Sequence, residues 1–277
     1  MKTITESRKM QRQAIAWRKA GRRVVLVPTM GALHDGHRRL INMARKKVKT
    51  NGIVVVSIYV NPKQFNDPKD LKDYPRTLSA DKKLCREESV DMVFAPNTLY
   101  EKDVSVGVKE DDLSTRLEGL HRPGHFAGVM AAVANLFNLV LPDFSVFGEK
   151  DFQQATVIKR MVRDLNYPVS ILVGPTVREA DGLAMSSRNV LLTGDLRDQA
   201  AVLSRAIELS RQSLGSRAVD IKRKLKRFIE KQPDAQVDYI EFVDTINLNP
   251  IKTVNKGSRI LLAAKIGPVR LIDNGLL

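Results

Sequence analysis

Gly52 to Val60 reads GIVVVSIYV, a nearly unbroken apolar run dominated by β-branched side chains. Such a stretch is too short for a long helix and leaves no face for water, so it reads as a strand covered on both sides, the habit of parallel sheets packed between helices. Arg23 to Val27 and Asp91 to Ala95 repeat the pattern and stop at Pro28 and Pro96. Helical periodicity fills the gaps. Gly36 to Lys49 places Leu40, Ile41, Met43, Ala44 and Val48 on one stripe, and Ser79 to Ser89 opens with a serine suited to cap its helix. Gly128 to Val140 (helix), Phe144 to Phe147 (strand), Asp151 to Leu165 (helix) and Val169 to Val173 (strand) continue the alternation. The expected fold class is α/β, a Rossmann-like, doubly wound parallel sheet.

The texture changes after Pro175. Leu196 to Leu214 and Val219 to Lys231 look helical, and Val237 to Val243, Arg259 to Ala264 and Pro268 to Ile272 look like short strands separated by Asn, Pro and Gly. The expected organisation is therefore a larger domain over residues 1–176 and a smaller C-terminal α+β domain over 177–277. No segment approaches the ~20 apolar residues of a membrane span, and residues 1–20 are charged throughout, unlike an export signal. A lone Cys85 can form no internal disulfide. These features point to the cytoplasm. The formal net charge of +15 raises the question of nucleic acid. Its cations are spread over helical stretches and only 5% of residues are aromatic, so a nucleic-acid partner is not expected.

The sharpest local signal is Pro28-Thr29-Met30-Gly31-Ala32-Leu33-His34-Asp35-Gly36-His37, set between the first of these strands and the next helix. Open α/β sheets bind ligands at the carboxyl ends of their strands, and a helix N-terminus offers free N–H groups to phosphate. Gly31 and Gly36 permit close backbone approach, and His34 and His37, three apart, share a face from which each can offer a nitrogen donor. The alternative is a zinc pair or two structural histidines. Zinc would need a third ligand, and only His121 and His125 remain, in a glycine-rich loop. Gly148-Glu149-Lys150-Asp151 also follows a strand and precedes a helix, presenting Lys150 as a point charge for phosphate, or as a surface partner of Asp151 or Glu149. Ser186, Ser187 and Arg188 gather two hydroxyls and a guanidinium in a loop that can close over a triphosphate or simply cap the next helix.

The string PTMGALHDGH resembles the opening motif of pantothenate synthetases, within the HxGH nucleotidyltransferase superfamily. Four more strings resemble that family in the expected order: VNPKQF from Val60, RPGHF from Arg122, FGEKDFQQ from Phe147 and DGLAMSSRN from Asp181. Leu271-Ile272-Asp273-Asn274 also looks familial, whereas Arg38-Arg39 and Asn135 depart from the pattern. The resemblance implies a ligase that joins pantoate to β-alanine through a pantoyl-adenylate, with ATP as substrate and Mg2+ as cofactor. It implies ATP binding by Met30, Gly31, Ala32, Leu33, His34, Asp35, Gly36, His37, Gly148, Glu149, Lys150, Asp151, Val177, Met185, Ser186, Ser187 and Arg188. His34, His37, Lys150 and Arg188 would be catalytic. Pantoate would meet Gln64, Gln154, Asn61 and Met30, β-alanine would meet Gln64, and Asp81 would be the magnesium carboxylate. The resemblance also implies a homodimer whose smaller domain acts as a lid.

Overall fold

The apolar runs pair side by side. In the computed structural model, which describes residues 1–277, β1 (Lys2–Ile4), β2 (Val24–Thr29), β3 (Ile53–Ile58), β4 (Met92–Phe94), β5 (Phe144–Gly148) and β6 (Ser170–Gly174) form one sheet in the order β1-β4-β3-β2-β5-β6. Every neighbouring pair is parallel. The helices between them are α1 (Ser7–Lys19), α2 (Asp35–Val48), α3 (Pro68–Asp73), α4 (Leu78–Glu87), α5 (Glu118–His121), α6 (His125–Val140) and α7 (Phe152–Asp164). Alternate strand residues serve opposite faces. Val25, Val27, Val54, Val56, Val93 and Val146 join Ile41, Ala44 and Val48 of α2 and Leu84 and Cys85 of α4 in one buried cluster. Val24 and Leu26, equally buried, face the other way, where α6 packs on β2.

The strand order decides where a ligand can sit. From β2 the chain builds outward through β3 and β4, then returns to β5 on the opposite flank. β2 is thus the topological switch point, and the loop after it opens onto the crevice such sheets use.

Three expectations need correcting. The sheet has a sixth strand, Lys2–Ile4, too short for any periodicity to reveal. Ser79 lies inside α4, which starts at Leu78 after Thr77, because the Thr77 hydroxyl and carbonyl both engage Asp81. The span Leu196 to Leu214 is two helices, α8 (Asp195–Ala200) and α9 (Val202–Arg211), meeting at Ala201.

Contacts divide the chain into two units, Met1–Glu149 with Gln154–Pro175, and Lys150–Gln153 with Thr176–Leu277. In the second unit, β7 (Ala235–Val243), β8 (Arg259–Ile266) and β9 (Val269–Leu276) form an antiparallel sheet in that order, against which α9 and α10 (Ala218–Ile229) pack. A two-residue turn at Gly267 and Pro268 joins β8 to β9. Gly267 has φ +56°, as the first position of such a hairpin requires. β9 continues past Ile272 because Asp273 and Asn274 keep the ladder to β8 out to Leu276.

Cys85 is wholly buried between α4 and the sheet, and burial, reinforced by Asp81, pushes its thiol up to about 12. Since the thiolate is the reactive form, the native protein should not react with an aromatic disulfide reagent at pH 8. One thiol per chain should appear after denaturation, and rapid native labelling would contradict this packing.

Candidate functional site

β2 ends in a turn that ordinary residues resist. The Thr29 hydroxyl donates to the Ser57 carbonyl at 2.7 Å and accepts from the Gly31 N–H at 3.2 Å, closing the chain on itself. Gly31 and Ala32 then take φ of +83° and +50°. A Cβ on Gly31 would lie 2.9 Å from a carboxylate oxygen of Asp81, so the loop fits only a glycine there. Asp81 is 2% exposed. Its oxygens accept from the N–H groups of Ala32 (3.1 Å) and Leu33 (2.8 Å) and from the Thr77 hydroxyl (3.1 Å). The expected magnesium carboxylate is therefore an anchor, its lone pairs directed at the loop, and no cluster of three His, Cys, Asp or Glu side chains fit to hold a metal occurs in the chain.

The loop feeds directly into α2. His34 is the N-cap, and its Nδ1 accepts the Gly36 N–H at 3.1 Å, while Nδ1 of His37 accepts the His34 N–H at 3.3 Å. This is a reciprocal capping box made from two imidazoles, with ring centroids 4.2 Å apart. Because both Nδ1 atoms accept, the neutral rings carry their protons on Nε2, and each presents an Nε2–H donor. A zinc pair bound through Nε2 would need each Nδ1 to carry the proton and donate it, and in this cap each Nδ1 accepts instead. Asp35 stands in the first turn of α2, 3.3 Å from Arg38. Arg38 also bonds Glu88 and, at 3.0 Å, Glu87, carboxylates that raise its guanidinium pKa and tie α2 to the end of α4.

A second group forms around Gln64. Its Oε1 accepts from Asn61 at 3.1 Å, and its Nε2 donates to the Met30 sulfur at 2.9 Å. Sulfur is a weak acceptor, so this donor is readily surrendered to a better one. Asn61 is 1% exposed, and its amide is fully occupied by Gln64, the Gly128 carbonyl, the Lys63 N–H and the Tyr100 hydroxyl. The expected contact between Asn61 and a ligand gives way to a holding task. Sequence reasoning missed Tyr100, whose hydroxyl is held well above its usual pKa by burial. Arg122 and His125, from the RPGHF string, bind the Gln64 carbonyl at 3.1 and 2.7 Å. Gly128 brings α6 against the turn, where an added Cβ would stand 2.1 Å from the Lys63 carbonyl oxygen. Gln154 is half-buried at the start of α7 and makes no side-chain hydrogen bond within the protein.

β5 runs beside β2 and carries the chain to Gly148 and Glu149 at the same sheet edge. The next residues, Lys150 to Gln153, belong to the second unit. There Lys150 lies 3.5 Å from Asp151, a long pairing, and its carbonyl accepts from the Asn274 amide at 2.8 Å. Arg178 grips Asp273 with two bonds of 2.7 and 3.0 Å. The 177–192 segment folds back on itself, with the Met185 N–H on the Val177 carbonyl (2.9 Å) and Asn189 bonded to Glu179 and the Ala184 carbonyl. The Ser186 hydroxyl accepts the Arg188 N–H at 3.2 Å, so the serine caps a short 3-10 turn beside half-buried Ser187 and Arg188. The signal that could have exposed Asp273 and Asn274 is their place inside an apolar strand.

Residues 2–276 match the family model described as pantoate-beta-alanine ligase. The chain is 48% identical over 260 residues to the pantothenate synthetase of Aquifex aeolicus, covering 92% of this chain and 91% of that one. It is 43% identical to that of Akkermansia muciniphila over 99% of both chains. Among solved structures, pantothenate synthetase from Thermus thermophilus superposes with a TM-score of 0.90 at 39% identity, over 100% of this chain and 99% of that one. The pantoate-beta-alanine ligase of Francisella tularensis, complexed with "Beta-gamma ATP" and beta-alanine, gives 0.82 at 34%, over 100% and 97%.

Two substitutions test the local geometry. Asp81→Asn turns an amide donor toward a backbone N–H and should lower stability by about 1–3 kcal/mol, read as a shift in the urea midpoint. Gly128→Ala should cost about 1–3 kcal/mol as well, because its neighbours are backbone atoms. Gly174→Ala, which meets only the side-chain ends of Leu40 and Met43, should cost less. Equal losses at the two glycines would refute the close approach at Gly128.

Proposed function

Since the chain belongs to the pantoate-beta-alanine ligase family, we propose that Lys150 and Arg188 supply the positive charge, and its two histidines the neutral N–H donors, with which ATP activates pantoate. The protein is an ATP-dependent ligase that condenses pantoate with β-alanine to give pantothenate. In our reading Met30 to His37, Gly148 to Asp151, Val177 and Met185 to Arg188 hold ATP. Gln64, Gln154 and Met30 hold pantoate, with Asn61 fixing Gln64 from behind, and Gln64 also meets β-alanine.

The carboxylate of pantoate is ionised at neutral pH, its class having a pKa near ~4, so its attack needs no protein base. One carboxylate oxygen bonds to the α-phosphorus, the bond to the bridging oxygen breaks, and pyrophosphate departs with the electron pair. The amine of β-alanine, having given one proton to solvent, then attacks the acyl carbon, AMP leaves with the oxygen that joined them, and the new amide nitrogen releases a second proton to water. The obstacle in the first step is electrostatic, since an anion must reach a polyanion while charge builds on the leaving group. Fixed donors answer it. The observation that carries the reading is the reciprocal imidazole cap. It commits both Nδ1 atoms to the backbone, so each proton sits on Nε2 beside the positive end of α2, and on this reading those Nε2–H groups bind phosphate.

A magnesium site of protein carboxylates does not fit these residues, because Asp81 is spent on the loop. Mg2+ enters this reading only as a counter-ion chelated by the triphosphate and water. The smaller unit would serve as lid. The protein would be a cytoplasmic homodimer. No helix is long and apolar enough to cross a membrane.

Incubating protein, Mg-ATP, pantoate and β-alanine should yield AMP and pantothenate, and omitting β-alanine should leave pantoate-dependent exchange of pyrophosphate into ATP. Exchange that requires β-alanine would overturn the adenylate route. Lys150→Ala and His37→Ala should each lose about 2–4 kcal/mol of transition-state stabilisation, roughly 30- to 1,000-fold in exchange rate. Near-normal exchange in either variant would remove that residue from the reaction.

A further inference from the structure

We propose that Asn274 is a positioning residue that sets where the Lys150 ammonium sits, with Arg259 holding Asn274 to that task. The proposal rests on the reading of Lys150 as a phosphate-binding cation. A lysine side chain is long and flexible, and its one carboxylate neighbour, Asp151, stands 3.5 Å away, too far to fix it. What is fixed is the main chain beneath it. The Lys150 carbonyl accepts from Asn274 Nδ2 at 2.8 Å, across 124 residues of sequence.

Asn274 is 4% exposed and its amide can point only one way. A carbonyl accepts and a guanidinium donates, so Nδ2 faces Lys150 while Oδ1 faces Arg259, which bonds it. Arg259 is itself 5% exposed and lies 4.0 Å from the ring centroid of Phe152. Burying a guanidinium is a poor use of a core position for stability alone. It makes sense as a clamp, because it reaches the turn twice, at residue 150 through Asn274 and at residue 152 directly. The adjoining Asp273 completes the clamp by accepting the Asn274 N–H at 2.8 Å and the Arg178 fork. Where catalysis depends on fixed charge, a displacement of about 1 Å can cost about a hundredfold.

Asn274→Asp separates positioning from folding. The carboxylate keeps Arg259 as a charge-assisted partner but turns an oxygen, not a donor, toward the Lys150 carbonyl. Pantoate-dependent pyrophosphate exchange should slow at least about tenfold in kcat, with KM for ATP changed less than about threefold and a cooperative thermal transition retained at a lower midpoint. The decisive readout is the double variant. If Asn274 acts only through Lys150, Lys150→Ala with Asn274→Asp should be no slower than Lys150→Ala alone. Multiplied losses, or a normal kcat in Asn274→Asp, would overturn the proposal. Should Asn274→Asp fail to fold, the same cycle built on Asn274→Ser decides. An active Lys150→Ala would remove both the lysine's role and the clamp's purpose, whereas a slow Lys150→Ala beside a normal Asn274→Asp would remove the clamp only.

Discussion

The left-handed turn after β2 would strand the N–H groups of Ala32 and Leu33 if Asp81 did not accept both. A buried, unmet N–H costs about 1–3 kcal/mol, and here two sit side by side at the mouth of a crevice. The carboxylate meets them because α4 begins after Thr77, whose hydroxyl and carbonyl bind the same aspartate. From this one contact the rest of the edge follows. The turn aims the chain into α2, and the helix entry is closed by two imidazoles whose Nδ1 atoms accept backbone N–H groups. An anion that merely balanced charge would be wasteful there; one that shapes a loop leaves the crevice free for a ligand's phosphates.

The same economy recurs at each polar group assigned to substrate. A side chain proposed to meet substrate is held by a residue whose own amide is spent within the protein. Asn61 spends its whole amide on orienting Gln64 and the turn around it, and Asn274 spends its amide on Lys150 and Arg259. Amides suit this work because one end donates and the other accepts, so a chain of them has a single consistent orientation. The glycine at 128 belongs to the same scheme, since it lets α6 approach until its carbonyl reaches Asn61.

Much of this was legible in the residues. Continuous apolar runs announce a parallel sheet because few other structures bury a strand on both faces, and the strand-loop-helix setting of the histidines marks a ligand edge. What stayed hidden was of two kinds. Lys2–Ile4 is too short to carry a period, and its pairing with β4 is a long-range fact. The anchoring task of Asp81 could not be read, because a carboxylate looks the same in sequence whether or not it faces two N–H groups 48 and 49 residues away. Likewise nothing in the run from 150 to 153 says that it packs with Asn274 and Arg259 rather than with the strand before it. Local pattern reports faces and caps; it does not report which distant atom closes a hydrogen bond.

Many of the cations are not part of the positive surplus, because carboxylates match them. Arg38 is engaged by Asp35, Glu87 and Glu88, Arg45 by Asp91, Arg178 by Asp273, and Arg197 by Asp181 and Glu179. Arg197 holds the Asp181 carboxyl below its usual range. That pair therefore supports the fold above the unfolded aspartate value of about 4 and is lost as pH falls through the lower folded value. Cations bound this way tie one segment to another and offer little to an incoming anion. In the reading proposed above, the chemistry would draw on a lysine with a long contact to Asp151 and on neutral donors of set direction, the imidazoles of the cap and an amide resting on a methionine sulfur. Net charge alone raises encounter rates, but only donors set in advance lower the barrier once the two anions have met.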